Sequence, residues 1–231
     1  MALQSARYAA VCSVVGILCI AGGCQGAASL LSVISGPDVV PARYVLPDED
    51  TAVLVDDPQN HLDNPSLSRQ IGTTAVYHLR LTEEALPEAE FIEPREVARL
   101  ERRLARDWAT TPIDEIGRQL GADQVIYAKV VSASGQIEGN LVRPTATVEV
   151  KVVRSEDGAR LWPASRGLVD PAAPPGPGYR FTVEMKYQTR EGSIGHRDTP
   201  HDLQRQLADE LGLELARIFY PWKRPEPGES L

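Results

Sequence analysis

From Tyr8 to Pro37 the chain carries no Asp, Glu, Lys or Arg. No other feature restricts so strongly what this end of the molecule can become. Ala9 to Ile20 (AAVCSVVGILCI) follows Arg7 and has the length and apolarity of the core of an export signal. The whole charge-free stretch is also long enough to cross a bilayer, which takes about 20 residues, so an uncleaved membrane helix is a rival reading. Against it, Ala21-Gly22-Gly23 and Gln25-Gly26 interrupt the apolar run with small and polar residues. A plain cleaved signal is the third reading.

Small residues directly before a cysteine, here Ala21-Gly22-Gly23-Cys24, resemble the lipobox of bacterial lipoproteins. The resemblance implies a diacylglycerol on the Cys24 thiol, cleavage before it and acylation of the new amine. The sequence departs from the usual pattern three positions before the cysteine, where Ala21 stands in place of Leu. Acyl chains gain ~0.8 kcal/mol per buried methylene, and two signals anchor a protein where one does not. Cys12 and Cys19 would leave with the signal and Cys24 would be consumed as a thioether, so the mature chain would hold no free thiol for catalysis or metal binding. Removing residues 1–23 takes only Arg7 from the 24 basic side chains and none of the 32 acidic ones, leaving a chain one unit more acidic than the −8 of the whole.

That acidity argues against a general nucleic-acid binder, because phosphate contacts need a basic field. With 42% hydrophobic and 24% charged residues the chain can build a core, and 231 residues fit one domain or two small ones. The expected organisation is a signal over 1–23, a lipidated tether over 24–47 that packs on the domain at its end, a single α/β domain over 48–222 with a Pro/Gly-rich loop at 170–178, and a disordered tail over 223–231.

Thr51 to Val55, apolar and β-branched and closed by Asp56-Asp57-Pro58, reads as a buried strand. Leu67, Ile71, Ala75 and Leu79 recur at helical spacing in Ser66 to Leu81. Ala89 to Ile92 is expected as a second short strand. Glu93 to Trp108 is expected as one charged helix with Val97, Leu100, Leu104 and Trp108 on its inner face. Thr111-Pro112-Ile113-Asp114 predicts a third helix, with Thr111 as N-cap, Pro112 at the first position and Gly121 as left-handed terminator. Val125 to Val131 is nearly all apolar at its start, as a central strand is. Thr145 to Val153 alternates, with Ala146, Val148, Val150 and Val152 on one face and Thr145, Thr147, Glu149 and Lys151 on a wet one. Ser155-Glu156-Asp157-Gly158 turns into a short return strand at Ala159 to Pro163. Tyr179 to Thr189 is β-like, and a final helix opens at Thr199-Pro200 with Leu203, Leu207, Leu211, Leu215 and Ile218 inward. The fold class is α+β, an α/β sandwich: a mixed sheet of about 4–6 strands with helices mainly on one face, plus a C-terminal helix.

Leu120-Gly121-Ala122-Asp123 leading into Val125 to Val131, and Asp157-Gly158 followed by Leu161-Trp162, resemble the α/β domain shared by the TolB amino-terminal domain, the penicillin-binding-protein activator lipoproteins and the curli-secretion-channel lipoproteins. The similarity covers roughly residues 51–163. It implies an envelope lipoprotein, exported and anchored at the periplasmic face, with the outer membrane as the expected site, that works by binding another envelope protein. The shared motifs are fold signatures, and they carry no catalytic residue and no cofactor.

Candidate sites are few. Asp56, Asp57, His61 and Asp63 gather at the end of a strand, where α/β sheets often place ligands. As metal ligands they are weak candidates, since the Gly and terminal Glu of a calcium loop are missing and Asp-Pro and Asn-rich stretches make turns. Arg95, Arg99, Arg102, Arg103 and Arg106 form the one basic concentration, interleaved with Glu96, Glu101 and Asp107. Pairing along a helix accounts for most of it. Contact with an acidic partner or anionic lipid is the functional alternative. Neither a Gly-x-Ser-x-Gly elbow nor a phosphate loop occurs, so no enzyme is expected. The favoured reading is a tethered, non-catalytic interaction or assembly factor; the alternative is a periplasmic small-ligand-binding or enzymatic domain. An unpaired sheet edge would favour the first, a deep polar pocket the second.

Overall fold

The computed structural model describes residues 39–82, 90–138, 141–164, 177–185 and 200–224. Two units result. In the smaller, β1 (Val39–Val40) pairs antiparallel with the strand Trp222–Lys223. The larger, Pro41–Pro221, holds a five-stranded mixed sheet and, among the described residues, four α-helices.

In the larger unit β2 (Thr51–Asp56) runs parallel to β3 (Gln124–Glu138), which pairs antiparallel with β4 (Leu141–Arg154). On its other side β4 carries both β5 (Arg160–Trp162) and β6 (Tyr179–Glu184). β3 is thus central, as its apolar opening requires. The alternation of β4 is realised: Ala146, Val148, Val150 and Val152 are buried, and the residues between them are half-exposed.

The long helices α1 (Pro65–Leu81) and, at the C-terminus, Pro200–Arg217 cover the face of Val55, Ile126, Ala128 and Val150. Their crossing is close because Gly212 has no side chain: a Cβ there would lie 2.6 Å from Thr74 Cβ and 2.7 Å from the Ile71 carbonyl oxygen. Among the described residues the opposite face is covered at one end, by α2 (Pro94–Leu104), a 3-10 segment (Ala105–Thr110) and α3 (Ile113–Leu120). There Val97, Leu100, Leu104, Trp108, Ile113, Ile116 and Leu120 pack on Ala52, Leu54, Val125 and Tyr127. The C-terminal helix is α4, so both long helices lie on one face.

Three local expectations are corrected. Ala89 to Ile92 forms no strand among its described residues; Phe91 makes a single parallel bridge to Thr51 before the chain turns at Glu93 into α2. The charged helix does not run to Trp108: Ala105 has φ 47°, a left-handed value that ends α2, and Arg106 and Trp108 continue on the 3-10 segment. Thr111 does not cap α3. Its hydroxyl donates back to the Asp107 carbonyl at 2.7 Å, and Pro112 takes the N-cap position. Gly121 ends α3 at φ 72°, a conformation that glycine adopts without a Cβ penalty.

Residues 41–47 lie within the larger unit: the Arg43 and Tyr44 amides donate to the Ile218 carbonyl at 2.8 and 3.2 Å, and the Tyr44 ring stacks on Trp162 at 5.8 Å. The signal, Cys24, the 170–178 loop, the Thr199 cap and the tail from 225 fall outside the described residues.

Candidate functional site

β2 ends in two carboxylates, and both are engaged. Asp57 accepts the backbone N–H groups of His61 and Leu62, each at 2.8 Å, and so closes a loop in which Asn60 and Asp63 take left-handed φ values of 55° and 56°. Short polar side chains tolerate that region better than others. The loop buries Leu62 and delivers Asn64, whose Oδ1 accepts the Ser66 amide at 2.9 Å and caps α1. Asp56 accepts the Tyr127 hydroxyl at 2.7 Å. Burial first, and then this bond to a carboxylate, push the Tyr127 phenol above its ordinary pKa. Lys151 stands 4.9 Å over the Tyr127 ring, and burial, helped by Arg160, lowers its ammonium pKa.

The weak metal candidates are therefore separated by task. Asp57 is a loop clamp, Asp56 a phenol acceptor and Asp63 an exposed turn residue, while the His61 Nε2 is buried without a partner among the described residues. Among the described residues no three His, Cys, Asp or Glu side chains are placed to hold a metal ion.

Beside β2 lies an open cleft of about 140 Å³. Its floor is Val53 and Val55, one wall is the start of α1 with Ser68, Arg69 and Gly72, and the other is Pro94, Val97, Ala98 and Glu101 of α2 with Trp108. Sequence reasoning placed the Asp56-Asp57 end of this cleft correctly at a strand terminus. It did not see the cleft, because its walls come from two helices, α1 and α2, that no single residue pattern places beside β2.

All five arginines are exposed. Arg99 pairs with Glu96 at 2.8 Å, Arg95 approaches the same carboxylate at 3.8 Å, and Arg103 donates to Gln119 of α3 at 3.3 Å. Arg102 and Arg106 make no ion pair among the described residues. Pairing thus accounts for part of the run, and Arg106 is taken off the helix by the Ala105 turn. Among the described residues no helix is long and apolar enough to cross a membrane.

No protein-family model and no curated protein matches the chain. Among solved structures it is similar to the lipoprotein GNA1162 of Neisseria meningitidis, at 12% identity and TM-score 0.40 over 72% of this chain and 98% of that one. It is also similar to a PelC dodecamer subunit of Paraburkholderia phytofirmans, at 12% identity and TM-score 0.38 over 80% and 94%. A third likeness is to the hypothetical protein CT253 of Chlamydia trachomatis, at 12% identity and TM-score 0.37 over 72% and 94%. Likenesses of this size leave the functional reading to the chain's own residues.

Proposed function

We propose that the protein is a bacterial envelope lipoprotein, held at the periplasmic face of a membrane, expected to be the outer one, through acylated Cys24, and acting as a non-catalytic interaction or assembly factor. The observation that carries this reading is Ala21-Gly22-Gly23-Cys24 at the end of an uncharged apolar core. The cleft adds support. It is small and open, its two strand-end carboxylates already serve as a clamp and a phenol acceptor, and its floor is the margin of a sheet. A site that binds a small molecule is typically larger and more enclosed, at about 300–1,000 Å³.

In-cell crosslinking followed by purification tests the reading. Reproducible recovery of another envelope protein is expected. A clean preparation with no partner and a bound small molecule would replace it with the ligand-binding alternative.

A further inference from the structure

β2 has an empty lane on its outer side. Thr51 uses that side fully: its N–H donates to the Glu90 carbonyl at 2.8 Å and its carbonyl accepts the Ile92 N–H at 2.9 Å. In a strand the N–H and C=O of one residue point to one side and those of the next to the other. Val53 and Val55 therefore also point outward, while Ala52, Leu54 and Asp56 point to β3, as Asp50 does in accepting the Gln124 amide at 3.1 Å. The chain that fills the lane at Phe91 leaves it at Glu93 to begin α2. Among the described residues nothing bonds the outward groups of Val53 and Val55, and these two residues floor the cleft.

Val53 is only 5% exposed, so its outward N–H and C=O have little access to water and gain from a new partner. A helix cannot supply one, because its backbone groups are already spent. An extended segment can, by strand addition. Its side chains would alternate between the α1 and α2 walls. The α2 wall offers Val97 and Trp108, and the cleft carries the carboxylates of Asp56, Asp57 and Glu101 against the single guanidinium of Arg69.

We infer that the β2 edge at Val53 and Val55 is a docking lane for an extended segment of a partner protein with alternating apolar and basic side chains, which joins the sheet as an added strand. This deepens the interaction-protein reading and rests on it.

Amide NMR of the full-length protein in detergent micelles, titrated with the capped peptide Val-Lys-Val-Lys-Val, tests it. The half-exposed Val55 amide should exchange readily in the free protein and become protected on titration, and the Val53 and Val55 amides should shift most. Val-Glu-Val-Glu-Val should bind about tenfold more weakly or worse, because it sets like charges together. Val55→Pro removes an outward donor without touching the β3 ladder and should abolish binding. Ala98→Trp, which fills the cleft from the helix wall, should do the same and covers the case in which the proline variant fails to fold. Slow exchange of the half-exposed Val55 amide in the free protein would show the lane already filled and overturn the inference. So would unchanged peptide binding in both variants, no shift at Val53 and Val55 with the lysine peptide, or self-association of the protein through this edge. Crosslinking that captures the same partner with wild type and with both variants would sink the lane and spare the interaction reading. Peptide pairing at Val53 and Val55 without any cellular partner would do the reverse.

Discussion

The two helical layers of the larger unit are built differently. On one face α1 and α4, of 17 and 18 residues, cross closely, with Thr74 and Gln70 donating to Asp209 at 3.0 and 2.7 Å and with Leu67, Ile71, Leu207 and Leu211 buried. On the other, α2 and α3 have 11 and 8 residues, and Leu100 is the one buried side chain of α2. Its remaining inner residues are half-exposed, and its arginines are exposed. The first layer supplies cohesion. The second leaves a cleft, a charged surface and a sheet margin, the parts from which contacts are made.

If that division is right, substitutions on the two layers separate in size. The largest effect is expected from Leu211→Ala, a fully buried truncation costing about 2–5 kcal/mol, against less than ~1.5 kcal/mol for Leu104→Ala on α2. Equal losses in urea unfolding would abolish the distinction. Next is Gly212→Ala. Helix propensity alone favours alanine by about 1 kcal/mol. The 2.6 Å approach to Thr74 should reverse the sign, to a net loss of about 1–3 kcal/mol. Gly72→Ala, whose Cβ would meet Val55 at an ordinary 3.6 Å, should keep the gain and serves as the internal control.

A smaller effect concerns pH. His78 on α1 has its pKa lowered by burial and then by Arg217, with Asp209 opposing. The folded state therefore disfavours the imidazolium. This contribution is fully present above the ordinary value near 6.5 and is lost as pH falls below it toward the folded-state value. Thermal melts of His78→Gln should show a shallower acid decline than wild type; parallel curves would remove His78 from the balance. The smallest stability change, within ~0.5 kcal/mol, is expected for Arg99→Glu with Arg103→Glu, since these side chains are exposed and the Arg99 pair is solvated. Altered recovery of partners by that variant would give the second layer a contact role, and unchanged recovery would assign its charge to solvation.

Legibility followed the same division. Regular spacing exposed α1, α4 and the alternating β4, because each buries one continuous stripe. Gly121 was readable as a terminator, since a left-handed residue at a helix end selects glycine. The α2 break was not: Ala105 has no composition that advertises a positive φ, and the apolar spacing from Val97 to Trp108 continues through it. Thr111 matched an N-cap motif, but its hydroxyl found the Asp107 carbonyl of the preceding turn. The cleft was hidden for a related reason. It depends on where Phe91 leaves the β2 lane, a tertiary event with no local signature. Asp56 and Asp57 were visible as a cluster, yet their roles are set by Tyr127, 71 residues away, and by amides of their own loop.

The central claim is that this acidic domain is held at a membrane by lipid on Cys24, and intact mass of the membrane-extracted protein tests it most directly. The predicted result is a chain beginning at Cys24 and carrying a diacylglyceryl group and an N-acyl chain. A chain beginning at Met1 would contradict it.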